Sequence, residues 1–458
     1  MPDTTTTASP QAAEKPAASR FYWGAATAAY QIEGSPLADG GARCIWEEFS
    51  HTPGNTHRGQ TGAVACDHYN RWPGDIELMR ELGLDAYRFS IRWPRVLPDG
   101  TGAVNARGLA FYDRLVDGLL EAGIEPFPTL YHWDLPAALQ HRGGWANRDI
   151  AAWFAEYTQA VIDVLGDRVS HWMTLNEPWV TAHHGHLTGE HAPGIRNIYA
   201  ACAAIHNQLR AHVAAARVIK RATPDAAVGL AFSNSAVAPA TDSPDDIAAA
   251  EISHAWGNFP LWLDPLVNGH YPEVIAARLH PYLPDGYEND LADLRLAPDF
   301  AGINYYFGGL VKRDDSDWLG VSGVDEPGLP RTAMNWIIRP EGLHALLTRL
   351  HQDYRLPSVY ITENGAAFED RRTGATVDDP QRVAYLDSHT QAVLRAREDG
   401  VPIDGYFAWS LLDNYEWAYG YTKRFGIVYV DYETQERVIK QSGQWYSGLA
   451  RDWRSQHA

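Results

Sequence analysis

The chain has 458 residues, with 57 acidic against 38 basic side chains and a formal charge of −19, a balance that repels phosphate backbones and anionic membrane surfaces. It contains no Lys/Arg-rich run and no apolar stretch of membrane-spanning length, so nucleic acid and membrane are excluded as partners. Aromatics make up 12% of the residues, including 17 Trp and 23 Tyr, more than a core needs and of the kind that stacks on the apolar faces of sugars.

In chain order, residues 1–20, MPDTTTTASPQAAEKPAASR, lack the charged start and apolar stretch of a secretory signal and read as a disordered tail. Residues 21–458 read as one domain without a linker, a length that α/β barrels reach by loop insertion. The three cysteines, Cys44, Cys66 and Cys202, form no CxxC pair, which fits neither a disulfide framework nor a structural zinc site and favours the reducing cytoplasm.

From Phe21 onward short β-rich runs alternate with segments of helical period. The strands are FYWGAATA, DAYRFSI, EPFPTLY, HWMTLN, AVGLAFSN, FAGINYY, PSVYITEN and IDGYFAWS. After Asn105 the stripe Leu109, Tyr112, Leu115, Val116, Leu119 and Leu120 predicts a helix that Gly123 stops. Asp379-Pro380 opens another, with Val383, Leu386, Val393 and Leu394 on its stripe, ending at Gly400. Eight strand-then-helix units, with seven or nine compatible with the same pattern, point to a closed (β/α)8 TIM barrel. The intervals 36–69, 183–196 and 311–339 exceed simple connections and are expected as extended loops on the active-site face.

Strand after strand ends in side chains unsuited to a packed core, and barrel active sites lie at those carboxyl ends. In order they are Gln31, Arg88, His132-Trp133, Asn176-Glu177, Asn234, Asn304-Tyr306, Glu363-Asn364 and Trp409. Two of them, Glu177 and Glu363, form a pair suited to glycoside hydrolysis, which needs a proton donor for the leaving oxygen and a carboxylate facing the anomeric carbon. The donor then requires a raised pKa and the nucleophile a depressed one. Arg88 is positioned to keep Glu363 ionised, as a structural ion pair, a catalytic support or both, and Tyr306 to donate to the same carboxylate. Asn234 either reaches the pocket or shapes a turn.

At these residues the chain resembles glycoside hydrolase family 1, the β-glucosidase family, from about Phe21 to Trp445. The matching segments are GAATAAYQIEG, CDHYNRW, YRFSIRW, YHWDLP, TLNEPW, GINYY, ITENGAAF and WSLLDNYEWAYGYTKRFGIVYVD. The resemblance implies Glu177 as general acid/base and Glu363 as nucleophile, supported by Arg88, Asn176 and Tyr306. It implies that Gln31, His132, Trp133, Glu416 and Trp417, together with Asn176, bind the sugar hydroxyls over a floor made by Trp409, with Trp336 on the leaving-group side. The implied activity is exo-acting, retaining β-glycoside hydrolysis, a β-glucosidase acting on small β-glycosides such as cellobiose without cofactor or metal. Side activity on galactosides or fucosides and transglycosylation are implied as well. The Glu416-Trp417 pair argues against 6-phosphorylated sugars, which a carboxylate there repels.

The chain departs from the family pattern at Asn70, around Asn258 in GNFPLWLDP, and beside Trp336. AHHGHLTGEH, with four histidines, matches no familiar zinc spacing and reads first as a pocket-mouth loop. Trp72 and Trp153 read as helix-to-strand packing. The rival classes are a barrel metalloenzyme and a carbohydrate-binding protein without turnover; possession of both glutamates disfavours the second.

Overall fold

The computed structural model describes residues 20–457. The expected tail therefore lies, apart from Arg20, outside the described residues, as does Ala458. Eight parallel strands close into a barrel: β1 (Tyr22–Ala26), β2 (Ala86–Ser90), β3 (Glu125–Tyr131), β4 (His171–Asn176), β5 (Ala227–Pro239), β6 (Phe300–Arg313), β7 (Val359–Asn364) and β8 (Ile403–Trp409). Their order is β5-β4-β3-β2-β1-β8-β7-β6, and β5 pairs with β6 to complete the ring. The eight-strand expectation is met.

Main helices follow the strands: α1 (His68–Glu81), α2 (Ala106–Glu121), α3 (Ile150–Leu165), α4 (Ile198–Ala222), α5 (Pro244–Gly257), α6 (Pro340–Tyr354), α7 (Pro380–Glu398) and α8 (Gln441–His457). The predicted stripe of α2 is buried except at Leu120, which is exposed, because it falls at the edge of the apolar arc. Gly123 ends that segment with φ +74°, a left-handed conformation that glycine adopts without penalty. Asp379 precedes α7 but makes no side-chain cap. Its carboxylate binds Arg382 and Ser442 instead.

The barrel interior is divided along its axis. At the amino-terminal end, Phe127, Phe300, Phe407 and Tyr360 form an aromatic plug, with Phe127–Phe407 and Phe300–Tyr360 centroids 5.0 and 5.2 Å apart. Glycine makes room for it: a Cβ at Gly24 would lie 2.6 Å from the Phe407 ring, and one at Gly229 2.6 Å from that of Phe300. Above the plug the interior turns polar, and that end carries the site.

The three long intervals carry structure of their own. Segment 36–69 contains the helix Ile45–His51, and 183–196 opens with the π turn His183–Leu187. Strand β6 runs on to Arg313 and pairs antiparallel with Val321–Val324, so the predicted loop 311–339 begins as a hairpin. Period-based reading missed this extension because β5 and β6 continue past the barrel wall, where one face is no longer buried. Among the described residues no helix is long and apolar enough to cross a membrane.

Candidate active site

The carboxyl ends of the strands surround a cavity of about 660 Å³. Its lining includes His132, Trp133, Glu177, Tyr306, Trp336, Glu363, Trp409, Glu416 and Trp417. Three further predicted residues, Gln31, Arg88 and Asn176, are buried directly behind this surface. Gln31 belongs to the short helix Ala29–Ile32 rather than to the strand end. All twelve residues given a catalytic, supporting or sugar-binding role from the sequence thus fall in one constellation.

Backbone geometry aims several of them. Trp133, Glu177 and Trp417 have φ of 75°, 44° and 46°, a region that costs a non-glycine residue on the order of 1 kcal/mol and persists only where the surroundings enforce it. Glu177 takes this conformation at the junction of β4 and the helix Pro178–Ala182, where Pro178 supplies a rigid first turn.

Around Glu363 the contacts are strong and charged. Arg88 Nη1 donates to Oε1 at 2.5 Å and to the Thr362 carbonyl at 3.0 Å. The Tyr306 hydroxyl donates to Oε2 at 2.6 Å. Arg88 Nη2 donates to Asn176 Oδ1 at 2.6 Å, and Asn176 Nδ2 donates to His132 Nε2 at 2.9 Å. Glu177 receives a single neutral donor, Asn304 Nδ2, at 2.9 Å; the same group reaches Asn176 Oδ1 at 3.0 Å.

These environments separate the two acids. Burial, reinforced by the negative charge of Glu363, pushes Glu177 up to about 8, against the opposing pull of Asn304 and Arg88. Glu363 does not fall below its ordinary value as expected. Burial raises it, while Arg88 and the Tyr306 hydroxyl act in the opposite direction. The physical reason is that a fully enclosed carboxylate loses its hydration, which the Arg88 guanidinium, the Tyr306 hydroxyl and the Asn304 amide only partly replace. The separation expected of the pair rests on partners: Glu363 has a cation in contact and Glu177 has none.

A second polar group faces the first. Gln31 Nε2 donates to Asn414 Oδ1, to the Tyr415 carbonyl and weakly to Glu416 Oε2, at 3.1, 2.9 and 3.4 Å. Burial and the charge of Glu363 push Glu416 up to about 8 as well. Gln31 Oε1 and His132 Nδ1 are buried with no hydrogen-bond partner among the described residues. His132 lies parallel to the Trp409 ring, centroids 5.9 Å apart.

Glu416 and Trp417 project from the excursion between β8 and α8, which an ion cluster pins. Lys440, fully enclosed, donates to Asp370 and to Asp413, the latter at 2.6 Å, and Arg424 donates to Asp413 at 2.6 Å.

At the cavity mouth stand Trp179, His184, Glu190, His191 and Tyr419, all within segments noted from the sequence but none given a role of its own there. His183 stacks on Trp179 at 4.2 Å, and His186 turns inward to the Thr181 carbonyl. Among the described residues no three His, Cys, Asp or Glu side chains group as metal ligands. Asn234 serves structure: its amide holds the Phe232 carbonyl and the Phe259 backbone N–H. Asn258, at the departure from the family pattern, is buried and clasps both backbone groups of Ser235. Asn304 was visible as a strand-end residue and Thr362 as part of ITENG, but neither had an assigned role.

The model of glycosyl hydrolase family 1 matches residues 14–454. Beta-glucosidase A of Thermotoga maritima is 54% identical over 433 residues, covering 94% of this chain and 97% of that one. The 1,4-beta-D-glucan glucohydrolase of Thermotoga neapolitana is likewise 54% identical, with the same coverage of both chains. A solved structure of a beta-glucosidase from Thermotoga maritima in complex with deoxynojirimycin superposes with a TM-score of 0.93 at 54% identity, over 95% of this chain and 98% of that one. With the family model spanning nearly the whole chain and relatives this close at full length, the chain belongs to glycosyl hydrolase family 1.

Proposed function

We propose that this enzyme is an exo-acting, retaining β-glucosidase that removes terminal β-D-glucosyl residues from small glycosides such as cellobiose. The observation that carries the reading is the asymmetry of the two buried glutamates. Glu363 is clamped by a guanidinium and a phenol, whereas Glu177 holds its proton up to about pH 8. A carboxylate nucleophile and a protonated donor are what a retaining glycosidase needs at neutral pH.

In this mechanism Glu363 attacks the anomeric carbon while Glu177 protonates the departing oxygen, which leaves a glycosyl ester on Glu363 and a carboxylate at Glu177. Loss of the Glu363 charge on forming the ester lowers the proton affinity of Glu177. It then takes a proton from water, and the resulting hydroxide displaces Glu363 with overall retention. Arg88, Asn176 and Tyr306 support this cycle. Gln31, His132, Trp133, Glu416 and Trp417 bind the glucosyl hydroxyls, Trp409 stacks beneath the ring, and Trp336 faces the leaving group. The unpartnered Gln31 Oε1 and His132 Nδ1 supply hydrogen-bonding capacity suited to sugar hydroxyls.

The names of the two Thermotoga relatives support the glucosyl preference and a place late in β-glucan breakdown, after a reaction that releases short oligosaccharides. Galactosides and fucosides are proposed as slower substrates and transglycosylation as a side reaction. Three free, buried thiols fit a reducing cytoplasm. The residues from 21 onward act as one catalytic domain.

The test is p-nitrophenol release from aryl β-D-glucoside, galactoside, fucoside, xyloside and 6-phospho-glucoside, with and without chelator, while NMR follows the first-formed anomer. Chelator-insensitive cleavage led by the glucoside, with β-glucose appearing first, is the expected result. α-Glucose appearing first would overturn retention. Binding without cleavage of any substrate, including cellobiose, would favour a carbohydrate-binding protein.

A further inference from the structure

Thr362 precedes Glu363 on β7, is fully buried, and lines no part of the cavity. It nevertheless touches both branches of the network around the two glutamates. Its carbonyl accepts from Arg88 Nη1 at 3.0 Å, and its hydroxyl donates to Asn304 Oδ1 at 2.6 Å. Its side chain fits because β6 carries glycine opposite: a Cβ at Gly302 would lie 2.8 Å from Thr362 Cγ2 and 2.9 Å from Oγ1.

The Asn304 amide has one donor edge and one acceptor edge, and its orientation decides which of them Glu177 meets. One constraint begins at Arg88, whose guanidinium can only donate. Asn176 Oδ1, 2.6 Å from Nη2, is therefore an acceptor, and Asn304 can approach it only with Nδ2, at 3.0 Å. The other constraint is Thr362, which occupies the acceptor edge. Held from both sides, Nδ2 stands 2.9 Å from Glu177 Oε1.

We propose that Thr362 is a positioning residue for the reaction: its hydroxyl locks the Asn304 side chain with the NH2 edge on Glu177, so that this carboxyl keeps one geometry through both halves of the cycle. The proposal rests on the assignment of Glu177 as acid/base. In the first half Glu177 gives its proton to the leaving oxygen and becomes a carboxylate, which the Asn304 donor stabilises. In the second half that carboxylate must accept a proton from water while still aligned. Without the hydroxyl, Asn304 Oδ1 is a buried acceptor lacking a partner, a state costly enough to turn the side chain toward another donor. Glu177 then loses the neutral donor that Asn304 supplies, and the second half-reaction suffers most.

The experiment compares Thr362→Val, isosteric without the hydroxyl, with Thr362→Ser, which keeps it, in the full chain on dinitrophenyl and p-nitrophenyl β-glucosides. For Thr362→Val, kcat on the dinitrophenyl glucoside falls about tenfold and KM falls with it, the range seen when an outer-shell partner is removed. This joint fall reports an accumulating glycosyl-enzyme. The alkaline limb of kcat/KM on the p-nitrophenyl glucoside moves to higher pH, and Thr362→Ser keeps parental behaviour. If Thr362→Val does not fold, Thr362→Ala takes its place under the same criteria. A hydroxyl-free variant with parental kcat, KM and pH profile, or a serine variant as impaired as valine, overturns the proposal. Glu177→Gly separates the two readings. Azide rescue to the β-glucosyl azide alongside a parental Thr362→Val removes only the Thr362 proposal, whereas absence of rescue removes the acid/base assignment itself.

Discussion

Arg88 and Glu363 meet inside the barrel as an ion pair, Nη1 to Oε1 2.5 Å, with side chains 1% and 4% exposed. A cation so enclosed has lost its hydration, and it regains partners from three strands: Thr129 on β3, Asn176 on β4 and Thr362 and Glu363 on β7, besides its own place on β2. The pair thus ties the wall of the barrel to the Glu363 carboxylate.

Replacing Arg88 by lysine keeps the charge but loses the planar fork that serves Glu363 and Asn176 together. We expect kcat/KM on p-nitrophenyl β-glucoside to fall by roughly 100-fold, the scale of a misplaced catalytic group. Arg88 lowers the proton affinity of Glu363, so weakening it raises that affinity and moves the acid limb of kcat/KM to higher pH. An unchanged acid limb would show that Arg88 does not set the ionisation of Glu363.

Glu363→Gly should abolish hydrolysis and recover turnover of dinitrophenyl β-glucoside in azide, giving the α-glucosyl azide, because the small anion enters from the face the carboxylate occupied. Glycine at Glu177 should give the β-azide by attack on the glycosyl-enzyme. Product anomers read by NMR check both. The same azide anomer from the two variants would contradict the division of roles between the glutamates.

The barrel and the paired glutamates were legible because each rests on local pattern: short β-rich runs that end in polar residues, and short motifs such as TLNEP and ITENG. Three features were not. Lys440 finds Asp370 and Asp413 across 70 and 27 residues, and no spacing announces such a contact. Gln31 was read as a strand-end residue, whereas the chain turns helical at Ala29. The depressed value expected for Glu363 overlooked desolvation, which depends on how completely the surrounding loops close.

Glu177 should cost stability as pH rises into the neutral and alkaline range. Its folded value of about 8 exceeds the ordinary glutamate value of 4.5, so the folded state prefers the protonated form. The resulting stability is fully present below about pH 4.5 and is lost as pH rises through 8. Glu177→Gln escapes that loss. Its urea midpoint should exceed the parent's at pH 8 by the equivalent of about 1 kcal/mol or more, with the gain shrinking toward pH 4.5. A gain independent of pH would point to packing instead.

Lys440 pins the excursion that carries Glu416 and Trp417. Its ammonium is enclosed between Asp370 and Asp413, and Asp413 also receives Arg424 and the Gly426 backbone N–H. All of these flank the excursion that presents Glu416 and Trp417. Lys440→Met leaves two buried carboxylates short of a cation, a change that costs on the order of 3–5 kcal/mol when one partner of a buried pair is removed. We expect a lower melting temperature together with a raised KM for aryl glucosides, as the excursion loosens and Glu416 drifts from Gln31. Glu416→Ala should raise KM on glucoside and galactoside without the loss in melting temperature, since it removes a partly buried carboxyl that burial already disfavours. The two variants thereby separate contact with the sugar from support of that contact. Equal melting temperatures for Lys440→Met and the parent would mean that Arg382 and Arg424 suffice to hold the excursion.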